Sequence, residues 1–334
     1  MPLNELNRLS RSLGGFFVSN IGRRRSVRGA LAAIAVTVTL ATTAGTAFAS
    51  GDPAGTADRA RATATAGAGQ QAGKARGAAP AGAAGAVETP SFPMLGVHKK
   101  TTELYMYWTD DQGGFEPREY VTPGFDVFAD SIDADNDKDG WSDHTWDVYK
   151  DGKLTSNWID DELGYHSIQV GKGWNIYPTI LSPGSIGGAQ EADLIGLDKA
   201  GVLWGYLGYP DGSLTTRMRI GGGWGQYTQL AGQGDLTGDD KPDIVARDKS
   251  GVLWLYKGTG DYKAPFASRT RIGGGWNTYD RLLSVGDLNA DGVADLVARK
   301  SNGDLFRYSG TGNANAVFGS PAKIGHGFQI YNLL

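Results

Sequence analysis

The residues most able to do chemistry in this chain are acids spaced two apart. Asp135, Asp137 and Asp139 precede Gly140, and Asp143 follows. The same frame returns as Asp287, Asn289, Asp291, Gly292 and Asp295, and more weakly as Asp235, Thr237, Asp239, Asp240 and Asp243. A hard cation such as Ca²⁺ takes six to eight oxygens, mostly from carboxylates and carbonyls. Side chains at positions 1, 3 and 5 can turn inward, a glycine at position 6 allows the sharp bend, and position 7 offers a backbone carbonyl, here from Trp141, Lys241 or Val293. Position 9 closes the set with Asp143, Asp243 or Asp295.

An EF-hand would need Glu at position 12, which holds Trp146, Ala246 and Ala298, so that motif is excluded. Asp and Asn also favour turns for local reasons. Three such loops in phase with an independent repeat make Ca²⁺ the expected cofactor. The loop at 235–243 is expected to be the weakest, because Thr237 is a poorer donor and Asp240 stands where glycine belongs. The matching turn at 185–193 keeps only Asp193, and no metal is expected there.

The independent repeat is Gly-Trp-x-x-Tyr. It occurs at Gly173-Trp174-Asn175-Ile176-Tyr177, at Gly223 with Trp224 and Tyr227, and at Gly275 with Trp276 and Tyr279, with Phe in looser copies at Gly124 and Gly327. The glycines lie 49, 50, 52 and 52 residues apart. A fixed period of that length indicates a repeat architecture. Within one period, short apolar runs at 282–285, 296–299, 305–308 and 322–324 are separated by Gly, Asn, Asp and Ser clusters, and no run has helical periodicity. Four short strands per period predict one blade of an all-β propeller.

The chain ends predict how the ring closes. Residues 95–107 align with 296–308 at a constant offset, so the first blade begins at its second strand. Residues 331–334 align with 279–283, the beginning of a first strand. Each end supplies what the other lacks. The expectation is a five-bladed β-propeller of four-stranded antiparallel blades, closed by the C-terminal strand pairing into the N-terminal blade, and monomeric.

Composition sets the boundaries. Arg23-Arg24-Arg25 precedes an apolar run from Ala30 to Ala49, which reads as a secretory signal peptide over 1–49, with Sec export favoured over twin-arginine. Residues 50–90 are rich in Ala and Gly and read as a flexible linker, leaving 91–334 as the propeller. A secreted protein with no membrane insertion after cleavage is expected. Four acids and ten bases precede residue 91, leaving 32 acids against 22 bases in the folded part. That balance disfavours a nucleic-acid partner. There is no cysteine, so burial or metal must supply stability.

The acidic loop followed by a strand resembles the FG-GAP/VCBS repeat of integrin-α-like propellers. The phrase from Ile272 to Tyr279, Ile-Gly-Gly-Gly-Trp-Asn-Thr-Tyr, resembles the tachylectins, five-bladed lectins. The first resemblance implies calcium with protein or glycan contacts. The second implies one amino-sugar site per blade. On that reading Trp174, Tyr177, Trp224, Tyr227, Trp276 and Tyr279 contact an extracellular glycan or cell-surface polymer, since aromatic faces stack on sugar C–H groups. The competing reading has the same rings filling the wedge between blades. The expected function is a calcium-binding carbohydrate-binding or adhesion module. The alternatives are a calcium-stabilised scaffold for another secreted protein and, less favoured, a glycoside hydrolase. Hydrolysis needs two carboxylates across one cleft. The unrepeated acids at 110–111, 116, 119 and 160–162 have no motif around them, and the four histidines are scattered. No catalytic residue is assigned.

Overall fold

The computed structural model describes residues 89–136, 138, 140–159, 165–189 and 191–334. The expected signal peptide and nearly all of the expected linker lie outside the described residues, as do Asp137, Asp139 and the 160–162 acids. Among the described residues there are twenty strands, five 3₁₀ turns and no α-helix.

The strands form five four-stranded antiparallel sheets. Blade 1 holds β4 (Phe128–Ala134), β5 (His144–Tyr149), β6 (Leu154–Ile159) and β7 (Tyr165–Gly171). Blade 2 holds β8 (Thr179–Gly184), β9 (Asp193–Leu197), β10 (Leu203–Tyr206) and β11 (Met218–Gly221). Blade 3 holds β12 (Tyr227–Ala231), β13 (Ile244–Asp248), β14 (Leu253–Tyr256) and β15 (Thr270–Gly273). Blade 4 holds β16 (Arg281–Leu283), β17 (Leu296–Arg299), β18 (Leu305–Tyr308) and β19 (Ala322–Gly325). Blade 5 joins the two chain ends, with β20 (Tyr331–Leu333) beside β1 (Met94–His98), then β2 (Leu104–Tyr107) and β3 (Glu119–Thr122).

The predicted closure is present, with Gly96 opposite Leu333 and His98 opposite Tyr331. It satisfies the backbone of a strand that would otherwise be an open edge. Contacts begin slightly before the expected boundary: the Pro90 carbonyl accepts from the Asp287 amide at 2.9 Å.

Each Gly-Trp phrase makes a sharp corner between blades. Gly223 and Gly275 have φ of 89° and 88°, a left-handed conformation that glycine adopts at low cost, and a 3₁₀ turn follows. The corner drives the Trp inward. Trp174 sits in a cluster with Trp146 and Leu154 of blade 1 and Leu194 and Tyr206 of blade 2, so its ring fills the diverging wedge between two sheets. Trp224 and Trp276 do the same at the next two seams.

The innermost strands of the blades surround an axial cavity of about 130 Å³. Its lining mixes aliphatic side chains with polar ones, among them Asp130, Asp133, Gln233 and Arg281. Burial pushes Asp130 up to about 6, partly offset by Arg281.

Candidate functional site

The acidic loops join the first and second strands of blades 1, 3 and 4. In each, the first aspartate folds the loop around itself. Asp287 accepts from the amides of Asn289 and Asp291 at Oδ1 and from Gly292 at Oδ2, at 2.7–3.2 Å. Asp235 accepts from Thr237, Gly238 and Asp240 at 2.6–2.8 Å. Asp135 accepts from Lys138 and Gly140 at 2.7 and 2.9 Å.

The ninth-position aspartate is a staple. Asp243 accepts from Leu236 N at 3.0 Å and from Gly258 N at 2.8 Å, tying its loop to the far end of the blade's third strand. Asp295 repeats this with Leu288 N and Gly310 N at 3.2 and 2.8 Å. Asp143 likewise holds Asn136 N at 2.9 Å. Glycine receives the far end because a Cβ on Gly258 would meet the Pro242 carbonyl at 2.4 Å. Asp193 makes the same bonds, to Ile186 N and Gly208 N at 2.8 Å each, in the one blade whose loop lacks acids at positions 1, 3 and 5. The ninth aspartate therefore accompanies the loop rather than its acids. Burial pushes Asp193 up to about 6 and Asp243 and Asp295 up to about 7, against the pull of their amide donors.

The fit to a cation rests on the middle of the loops. Asn289 Oδ1 and Asp239 Oδ1 are buried acceptors with no hydrogen-bond partner. Such atoms are costly unless something positive meets them. A carboxylate oxygen holding one N–H still has a lone pair to give, so Asp287 and Asp235 remain usable ligands. Among the described residues no three acidic or histidine side chains converge on one point. The first and ninth carboxylates are engaged by backbone amides, so a cation would have to share their oxygens with those donors. In the 235–243 loop Lys257 already faces Asp239 Oδ2 at 2.9 Å and supplies part of the positive charge. Trp141, Lys241 and Val293 stand half-buried at the seventh positions. The donor chemistry fits a hard cation best at 287–295, less well at 235–243, and at 135–143 depends on Asp137 and Asp139.

The expected sugar contacts need correction. Trp174, Tyr177, Trp224, Tyr227, Trp276 and Tyr279 are all between 1% and 7% exposed. Their rings pack against the next blade, and their hydroxyls pair inward: Tyr177 with Tyr206 at 2.6 Å and Tyr279 with Tyr308 at 2.7 Å. No face remains for a sugar. Of the two readings weighed, burial selects wedge packing.

A different aromatic series lies on the outer rim, and the sequence reading missed it. The second position of each third strand holds Trp204, Trp254, Phe306 and Tyr105 in blades 2, 3, 4 and 5, all half-buried, and Thr155 in blade 1. The Trp204 indole donates to Asp198 Oδ2 at 2.8 Å and carries the Arg217 guanidinium 4.4 Å from its ring centre. The Trp254 indole donates to Asp248 Oδ2 at 2.9 Å under Arg269 at 4.1 Å. Tyr105 donates to Glu103 at 2.9 Å under Arg118 at 4.5 Å. Hydrogen bonds from Ser250 and Trp254 hold Asp248 well below the usual carboxylate range. Desolvation opposes the same effect at Asp198, where donors from Trp204 and the backbone prevail. The signal was available: Asp198 and Asp248 stand six residues before their tryptophans in aligned segments.

One arrangement resembles a catalytic dyad. Ser156 Oγ lies 2.8 Å from His144 Nε2. Both are buried beneath Gly212, and burial pushes His144 down to about 4. This pair supports blade 1 and offers no nucleophile to solvent.

No curated protein matches the chain. Solved structures with a similar path include the BP39L lectin of Burkholderia pseudomallei, at 14% identity over 66% of each chain with a TM-score of 0.45. AofleA of Arthrobotrys oligospora matches at 9% identity, 72% of this chain and 87% of that one, with a TM-score of 0.35. Prp20p of Saccharomyces cerevisiae, which is not described as a lectin, matches at 14% identity, 67% and 59%, with a TM-score of 0.32. The chain thus spans about two thirds of BP39L and less of Prp20p. Residues 235–298, which run from the second acidic loop through the third to strand β17, match the FG-GAP-like repeat.

Proposed function

We propose that this protein is a carbohydrate-binding propeller whose glycan contacts lie on the outer rim, with calcium bracing the acidic loops. The observation that carries the reading is the module of an aromatic ring, a fixed carboxylate and a stacked guanidinium, repeated in phase on blades 2 and 3 and approximated on blade 5. The carboxylate can accept from one sugar hydroxyl while the guanidinium beside it donates to the neighbouring one. The aromatic edge supplies apolar contact for ring C–H groups. Repetition around a ring gives avidity on a polymer.

Calcium would be held by Asp287, Asn289, Asp291, the Val293 carbonyl and Asp295, and by the corresponding residues of the other two loops. Bound there, it would supply positive charge to oxygens that the fold leaves unmatched. Export by the N-terminal segment belongs to the same proposal.

A protein-binding scaffold is the second reading. It is favoured by Tyr209 and Tyr262, each 44% exposed on the loops after the third strands of blades 2 and 3. Tyrosine of this kind is common at protein interfaces. A glycan array probed with the full chain and with Trp254→Ala separates the two. Binding by the full chain that Trp254→Ala removes supports the rim site. An array that stays silent while the circular dichroism spectrum is that of a folded β protein would falsify it.

A further inference from the structure

The rim modules carry more positive charge than a neutral sugar needs. Arg219 lies directly opposite Trp204 on the neighbouring strand, and Arg271 lies directly opposite Trp254. Residues opposite one another across an antiparallel pair project to the same side, and so do residues two apart on one strand. Each indole is therefore bordered by two arginines, Arg217 and Arg219 on blade 2 and Arg269 and Arg271 on blade 3. Arg219, Arg269 and Arg271 are exposed. Against each pair stands a single carboxylate, Asp198 or Asp248, committed to the indole N–H and to nearby backbone amides. Each module carries a net charge of +1. The same outer strand of blade 1, where Thr155 replaces the aromatic, has Ser167 and Gln169 at these two places, so the charge follows the aromatic ring, and only the two tryptophan blades carry a pair of arginines.

The stacking decides what those guanidiniums can do. The inner side of each indole packs on the interblade core, and Arg217 or Arg269 covers the outer side. A neutral sugar cannot stack on a ring covered on both sides. A stacked guanidinium, however, keeps its N–H donors in its own plane, directed past the ring edge, and that planar fork matches a carboxylate. Arg269 spends Nη1 on Gln226 at 3.0 Å and on the Tyr227 hydroxyl, which fixes its plane.

We infer that the rim of blades 2 and 3 recognises the carboxylate of a uronic-acid polysaccharide, one acidic sugar per blade. This rests on the carbohydrate-binding reading above and names its ligand class. The charge count favours it, since each module's single net positive charge matches the single negative charge of one uronate. The overall acidity of the folded part, 32 acids against 22 bases, would repel such a polymer, which makes a local basic rim the place where it can dock.

The test uses the full chain in calcium buffer, immobilised hyaluronan (a polymer of glucuronate and N-acetylglucosamine), its methyl ester and neutral dextran. Binding to hyaluronan is expected, weakening as NaCl is raised. Esterification, or the double variant Arg219→Gln/Arg271→Gln with an unchanged melting temperature, should each cost about tenfold or more in Kd. Equal binding to hyaluronan and its ester, or an undiminished double variant, overturns the uronate assignment. If dextran or the ester binds and Trp254→Ala abolishes it, the glycan reading stands and the acidic-sugar inference falls. If no polymer binds, both fall.

Discussion

Arg299 donates from Nη1 to the carbonyl of Tyr331 at 2.7 Å, so a side chain of blade 4 grips the first residue of the strand that closes the ring. The same guanidinium holds the Phe328 carbonyl at 3.1 Å and Asp280 at 2.9 Å through Nε and Nη2. Arg247 does the equivalent work one seam earlier, reaching the carbonyls of Trp276 and Tyr279 at 3.1 and 2.5 Å. Arg299→Met would strand two carbonyls beneath a buried side chain. A loss of about 2–4 kcal/mol in urea unfolding is expected, since hydrogen bonds to charged groups contribute roughly 1.5–3 kcal/mol each. A change below 1 kcal/mol would mean that strand pairing alone closes the ring.

The two tryptophan series should separate cleanly. Trp276→Ala opens a cavity in a wedge where the ring is 7% exposed, and a loss of about 3–5 kcal/mol is expected. Trp254→Ala acts on a half-buried rim position and should cost less stability while removing glycan binding. Equal destabilisation by the two would show that the rim tryptophan is also a core residue.

Asp193→Ala tests the staple without touching a calcium ligand. It leaves the amides of Ile186 and Gly208 unpaired in the interior, for an expected loss of about 2–4 kcal/mol. Differential scanning calorimetry should find the same drop in EGTA and in calcium. A drop seen only in calcium would make this residue part of a metal site after all.

Calcium should raise the melting temperature, and Asn289→Leu should reduce that rise, because it removes the orphaned acceptor of the best-formed loop while keeping similar volume. Melts that superimpose in EGTA and in excess calcium would remove the metal from the proposal.

The pH dependence has a defined sign. Burial pushes Asp147 up to about 6, against the pull of Ser131 and Asn157, and pushes Asp130 to about 6 as well. A carboxyl whose folded pKa lies above its unfolded value binds more protons folded than unfolded between those two values. Its contribution is fully present below pH about 4 and is lost as pH rises through about 6. For Asp147 the upper bound is on the order of 3 kcal/mol. Urea midpoints from pH 4 to 7 should therefore fall less steeply in Asp147→Asn than in the parent chain. Parallel profiles would show that Asp147 is ionised with little penalty.

Much of the architecture is determined by local sequence. A glycine that must take positive φ before an aromatic, and turn residues at fixed offsets, mark corners and strands whatever surrounds them. The strands expected at 296–299 and 305–308 are β17 and β18, and the complementary ends at 95 and 331 pair as read. The place of the acidic segments, as turns between first and second strands, was equally legible, because turn residues act locally. The roles of the aromatics were not. Trp276 and Trp254 are the same residue type on the same period, and only the packing of one sheet against the next decides that the first is enclosed and the second meets solvent. The staple was hidden for a related reason. Asp243 reads from the sequence only as the end of an acidic loop, and its second task, accepting from the Gly258 amide fifteen residues away, exists only once the third strand folds back. Spacing identifies the atoms that can do chemistry, and which of them face inward depends on contacts between blades that no single repeat contains.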